Sequence, residues 1–190
     1  MKKKMFICCF LLLIFLTACS GNKIKDPLNY KVENFEFTDQ NGQPFALADL
    51  KGKVWVADFV FTSCETVCPP MTAHMAQLQE KAEKEGVEVE FVSFSVDPEV
   101  DTPEKLKQFA NQFSDSLDNW HFLTGYSQET IENFAKNSFK TIVQKPESDD
   151  QVIHGTSFYL VDQNGVVLKS YNGVENTPYD EIINDIKAVQ

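Results

Sequence analysis

The run VWVADFVF, residues 54–61, is apolar at all but one position, the pattern of a strand buried on both faces. It leads straight into FTSCETVCPP, residues 61–70, where two cysteines stand four apart before a proline pair. Pro69 and Pro70 are excluded from a helix interior but suit its first turn, and Met71, Met75, Leu78 and Ala82 then recur at helical spacing as far as Gly86. Cys68 is therefore expected at or just before a helix N-terminus. A strand covered on both faces requires layers on each side of its sheet, so an α/β sandwich is expected, with helices flanking a mixed sheet.

The rest of the chain fits that plan. FEFTDQNGQPFAL alternates apolar and polar residues around Asn41-Gly42, the signal of a two-residue hairpin. Residues 87–96 read as a strand, Asp101 onward as a capped helix with Pro103 in its first turn, Trp120 to Leu123 as a short strand, and Ser127 to Ser138 as a helix. Gly155 to Asp162 and Val166 to Tyr171 form a hairpin across Asn164-Gly165, and a last helix spans Pro178 to Val189. A cysteine pair between a buried strand and a helix is the thioredoxin-like arrangement. The N-terminal hairpin and the stretch from Ser95 to Phe139 are additions to it.

The first 18 residues read as a secretory signal: three lysines, an apolar run from Met5 to Leu16, then small residues. That run is shorter than the roughly 20 residues needed to cross a bilayer. Leu16-Thr17-Ala18-Cys19 resembles the bacterial lipobox, which implies cleavage before Cys19 and lipid on its sulfur. The expected organisation is residues 1–18 as lipoprotein signal, 19–30 as lipidated cysteine and tether, and 31–190 as one extracytoplasmic domain held to the cell membrane. Cleavage removes three of the 17 basic residues and none of the 28 acidic ones, leaving a charge of −14, and every basic residue is lysine. Nucleic acid is an improbable partner for such a chain.

After cleavage and lipidation only Cys64 and Cys68 remain as free thiols. A bridge between them closes too small a loop to restrict the unfolded chain much, so chemistry is a better reason for the pair than stapling. At a helix N-terminus a thiolate is favoured, which serves attack on disulfides and binding of soft metals alike. A metal held by two sulfurs usually recruits imidazole. His74, in the helix after the loop, reads as a surface or capping residue, and His121, beside Trp120, as a structural one. His154 directly precedes a strand that starts near the cysteine loop in a thioredoxin-like topology, where it either supplies nitrogen to the sulfurs or stands in solvent. Met71 and Met75 read as core.

Three segments in order, FVFTSCETVCPPM, SVDPEVDTPEKLKQFA and IHGTSFYLVDQNG, resemble the signature segments of the Sco/SenC family of copper-binding cytochrome c oxidase assembly factors. The resemblance implies that Cys64, Cys68 and His154 hold one copper, Cu(I) or Cu(II). It also implies that Asp97 lies near the site and assists binding or the conformational response, its alternative being an ordinary loop or capping carboxylate. The implied partners are the copper A site of oxidase subunit II and a thiol reductant of the cysteine pair. Gly155 departs from the hydroxyl residue expected there. A thiol:disulfide oxidoreductase or a redox sensor remains the competing reading. A peroxiredoxin fits poorly, because Glu65 stands where its threonine belongs and the chain has no arginine.

Overall fold

The computed structural model describes residues 24–190, so the signal segment and Cys19 lie outside the described residues. Six strands form one mixed sheet: β1 (Tyr30–Lys31), β4 (Trp55–Val60), β5 (Glu90–Ser95), β6 (Trp120–Leu123), β9 (Ser157–Val161) and β10 (Val166–Asn172), in the order β1-β10-β9-β4-β5-β6. β4 lies at the centre, parallel to β5 and antiparallel to β9, and all six of its residues are buried. The expected α/β sandwich is the observed one.

Alternation along β4 assigns the two faces. Trp55 and Phe59 meet Phe139, and Phe59 stacks on Phe94 of β5. This aromatic layer is covered by α3 (Gln128–Phe134), by a π-helical turn at Ala135–Phe139, and by Phe35 and Phe37 from the N-terminal segment. Val56, Asp58 and Val60 have the opposite parity. That face is covered by α1 (Cys68–Lys84), α2 (Pro103–Ala110) and α4 (Tyr179–Val189), with Phe109 of α2 against Phe122 and Asp185 of α4 accepting from Lys169 and Tyr171 of β10.

Both expected hairpins form, with Asp39 and Asp162 in matching roles. Each carboxylate accepts from two backbone N–H groups of its loop, Asn41 and Gln43 in one case, Asn164 and Val166 in the other. The first loop is consequently five residues long, between β2 (Glu36–Thr38) and β3 (Pro44–Ala46), where a two-residue turn was expected. Gln40 projects from it to the free edge of β6, donating to the Trp120 carbonyl and accepting from the Phe122 N–H, both at 2.9 Å. An edge strand is thus satisfied by one amide side chain.

Other differences have local causes. Thr102, not Asp101, caps α2 by accepting from the Lys105 N–H, because the Asp101 carboxylate is engaged elsewhere. The helix expected from Ser127 to Ser138 starts there, capped by Ser127, but changes to the π-helical turn after Phe134. A small antiparallel pair, β7 (Val143–Gln144) with β8 (Ile153–His154), had no sequence signal, since two-residue strands are too short to show a period. It carries His154. Upstream, Leu28 and Val32 also bond to the β10 hairpin, so the chain is tied to the sheet edge from Leu28 onward.

Phe139 touches Trp55, Phe59, Phe94, Phe134 and Tyr159 and is almost fully buried. Phe139→Ala is expected to cost about 3–5 kcal/mol of unfolding free energy, measured by denaturant titration.

Candidate metal centre

The chain leaves β4 at Val60, and the loop that follows is pinned at Thr62. The Thr62 hydroxyl donates to Asp101 at 2.5 Å and its N–H lies 3.3 Å from the same carboxylate. Two residues later Cys64 turns back over the first turn of α1. No side chain caps α1 in the usual way, and Pro69 and Pro70 remove two of the N–H groups that would need caps. The remaining exposed donor at the helix start, the Cys68 N–H, is taken by the Cys64 sulfur at 3.3 Å.

His154 reaches the pair from β8. Its Nε2 stands 3.3 Å from the Cys68 Sγ, and its Nδ1 stands 2.9 Å from the Gly155 carbonyl oxygen. A carbonyl can only accept, so Nδ1 carries a proton, and in the neutral ring the Nε2 lone pair faces the sulfurs. Phe61 packs edge-on against the ring at 5.7 Å. The donor atoms of Cys64, Cys68 and His154 all lie within 4.8 Å of one another, and they form the one group of three or more such donors among the described residues.

The two thiols are unequal. Cys64 is held well below the usual thiol range, first by the Cys68 thiol that donates to it, then by His154 and by the Cys68 and Thr66 backbone; burial opposes this. Cys68 is pushed up by the Cys64 sulfur beside it and by burial. Cys64 is thus the first to ionise, and Cys68 holds the remaining proton. Two soft sulfurs and one imidazole nitrogen at this separation suit a soft, thiophilic ion such as copper or zinc. Both cysteines are free and buried, so the same two sulfurs are also poised for a disulfide.

Asp97 does not join this group. Its carboxylate is buried and paired with the Lys145 ammonium at 2.7 Å. His74, expected at the surface or as a cap, bonds to Tyr179 and to the Val174 carbonyl, and His121 stacks on Phe45 beside Glu90, the structural role expected of it. Met71 and Met75 are fully buried in the core. Sequence reasoning passed over Asp58, the lone charged residue in the apolar run of β4. It is fully buried, and neither carboxylate oxygen has a hydrogen-bond partner. Burial pushes it up to about 7, with Ser93 and His154 opposing, and its charge in turn disfavours the Cys68 thiolate. Its signal in the sequence was the acid itself, set among residues that all face the interior.

A family model described as SCO1/SenC matches residues 25–190. The chain belongs to the SCO1/SenC family. Similar solved structures include a SCO1/SenC family lipoprotein from Bacillus anthracis, 59% identical with a TM-score of 0.85, covering 87% of this chain and 98% of that one. BsSco, described as a member of the Sco family of cytochrome c oxidase assembly proteins with a disulfide switch, is 62% identical with a TM-score of 0.82 over 88% of this chain and 97% of its own. ScoI of Bradyrhizobium japonicum, solved with copper bound, is 27% identical with a TM-score of 0.70 over 84% of this chain and 99% of its own. The thioredoxin-like sandwich expected from the strand–cysteine–helix order is the fold of this family. The Sco proteins are copper-binding proteins of cytochrome c oxidase assembly; of the three resembling segments the first and third supply Cys64, Cys68 and His154, and the second is joined to the first through Asp101 and Thr62.

Asp58 gives the metal-free protein a pH-dependent stability. Its folded value of about 7 lies above the ordinary 3.8, so the penalty of ionising it is absent below pH 4, builds up between pH 4 and 7 and is fully present above that. The full difference is on the order of 4 kcal/mol. Asp58→Asn is expected to be more stable than wild type at pH 8, with the advantage vanishing toward pH 4, as read by urea denaturation of the reduced protein across that range.

Proposed function

We propose that this chain is a lipid-anchored, extracytoplasmic copper carrier that supplies the copper A site of cytochrome c oxidase subunit II, reduces that site's cysteines, or does both. The observation that carries the reading is the convergence of two thiols of unequal acidity with an imidazole whose Nε2 faces them while its Nδ1 is held by a backbone carbonyl. Copper is cargo here, and Cys64, Cys68 and His154 are its ligands. Copper-bound ScoI and the oxidase-assembly description of BsSco support the choice of metal and of destination. The lipoprotein relative from Bacillus anthracis supports the anchor expected at Cys19.

The ligand set accounts for both halves of the role. Reduced Cys64 is ready to take the ion as a thiolate, and Cys68 must release its proton to complete the sulfur pair. Copper binding and the disulfide exclude each other, because both use the same sulfur electrons. Forming the disulfide removes two electrons, of which the bound Cu(II) takes one and a second Cu(II) from solution takes the other, so cupric ion beyond one per chain consumes the thiols and both ions end as Cu(I). Two electrons passed instead to a disulfide on the target regenerate its thiols and leave Cys64 and Cys68 bridged, after which an external thiol reductant must restore them. Ligand exchange onto a reduced target site then moves the metal itself.

The direct test is anaerobic titration of the reduced protein with Cu(II), following thiolate-to-copper absorption. An intense band saturating at one copper per chain, lost or short-lived in His154→Ala, is expected. A disulfide formed at once with no lasting band, identically in both proteins, would reassign the chain as a thiol:disulfide oxidoreductase. Copper affinity is also expected to fall as pH is lowered, since protons compete for all three donors, and competition with a chelator of known pH dependence measures this.

A further inference from the structure

The two halves of the metal site come from separate stretches of chain, residues 62–68 and the β7–β8 hairpin, and both are tied to one short segment behind them. Residues 95–101 are held firmly: Val100 and Asp101 donate their N–H groups to the Asp97 carbonyl, the Asp97 N–H donates to Ser95, and the Tyr126 hydroxyl donates to the Ser95 carbonyl. From this segment the Asp101 carboxylate takes the Thr62 hydroxyl and the Ser95 hydroxyl, fixing the cysteine loop. The Asp97 carboxylate takes the Lys145 ammonium, fixing the hairpin one residue beyond the β7 strand.

Lys145 has the geometry of an anchor. Its ammonium lies 2.7 Å from Asp97, whose side chain is 2% exposed, and only 3.7 Å or more from the exposed Glu99. Its backbone N–H donates to Glu132 of α3 at 3.1 Å, so main chain and side chain are bound to different elements. On the far arm of the hairpin, the amide of Gln151 donates to the Ser63 carbonyl beside Cys64. Within the hairpin Val143 pairs with His154, and the Gly155 N–H donates to the Ile142 carbonyl, so a shift of the β7 arm carries the imidazole with it. Removing the lysine would leave a buried carboxylate without its cation, which strongly disfavours the present position of the hairpin.

We propose that Lys145, paired with Asp97, is a positioning residue for His154: the ion pair holds the β7–β8 hairpin so that the imidazole Nε2 stands over the cysteine sulfurs. Asp97 then acts on the metal through Lys145 and the hairpin, not as a ligand. This role rests on the copper reading for its metal measurements alone, because the placement of the hairpin can be read without any metal.

The experiment uses the full-length protein in detergent micelles, reduced and metal-free, as wild type, Lys145→Met, Lys145→Arg, Asp97→Asn and the Lys145→Met/Asp97→Asn double variant. Hydrogen exchange of residues 140–155 is expected to quicken by about tenfold or more in Lys145→Met, with β4 and β5 unchanged as the control for folding, and to return toward wild type in Lys145→Arg. Titration with copper sulfate alone is expected to show affinity reduced about 10–100-fold in Lys145→Met, with the absorption band altered as in His154→Ala. Asp97→Asn is expected to weaken copper binding in the wild-type background and to add nothing in Lys145→Met. Unchanged hairpin exchange in Lys145→Met would overturn the role of Lys145, as would an undiminished effect of Asp97→Asn in that background, which would assign Asp97 a direct action on copper. Loss of protection throughout β4 and β5 moves the decision to Lys145→Gln, read by the same exchange. A wild-type protein that holds no copper would defeat the carrier reading, while the exchange of residues 140–155 would still decide the role of Lys145.

Discussion

Burial of β4 on both faces is the constraint from which the other features descend. A strand with six buried residues must be paired along both edges and covered above and below, and β5, β9, the aromatic layer and α1 meet those four demands. Its C-terminal end is consequently a firmly held point from which a loop can start. The cysteine loop begins there, and the helix it enters has its axis fixed by Met71, Met75 and Leu78 in the same core. The positions of the two sulfurs are therefore set by packing well away from them.

Within that frame the site is assembled from local needs that each serve two ends. The Cys68 N–H needs an acceptor at the helix start, and the Cys64 sulfur provides it while having its negative charge stabilised. The imidazole needs a partner for its second nitrogen, and the Gly155 carbonyl both satisfies it and selects the tautomer that leaves Nε2 open. Asp58 is the exception. A carboxyl without a partner in the interior of β4 weakens the fold at neutral pH, and its presence behind Cys68 and His154 keeps the Cys68 thiol protonated longer.

Long periodic elements were legible from the sequence because burial writes them plainly: the apolar run of β4, the helical spacing after Pro70, and the hairpin across Asn164-Gly165 all fold as read. The donors Cys64, Cys68 and His154 were legible as well, the cysteines from their place between strand and helix and the histidine from its place before β9. Elements defined by single long-range contacts were not legible. The β7–β8 pair is two residues on each arm, and the bond from Gln40 to the edge of β6 spans 80 residues. The same limit hid the partners of two acids in SVDPEVDTPEK. Asp101 looked like a cap and instead holds Thr62, while Asp97 turned toward Lys145, 48 residues away.

The bond from His154 to Gly155 joins a side chain to the main chain of its own neighbour, and that choice of acceptor has a bearing on mutational drift. A carboxylate or amide in the same role could be deleted by one codon change, taking the tautomer with it. A peptide carbonyl is present whatever residue stands there, so a substitution at position 155 can remove it only by bending the backbone path. Space at that position is another matter, because a Cβ built on Gly155 would come within 2.1 Å of the Thr141 hydroxyl oxygen. Residues 141 and 155 are thus expected to vary as a pair, with bulk free to move from one to the other, while the nitrogen that faces the sulfurs is protected from both.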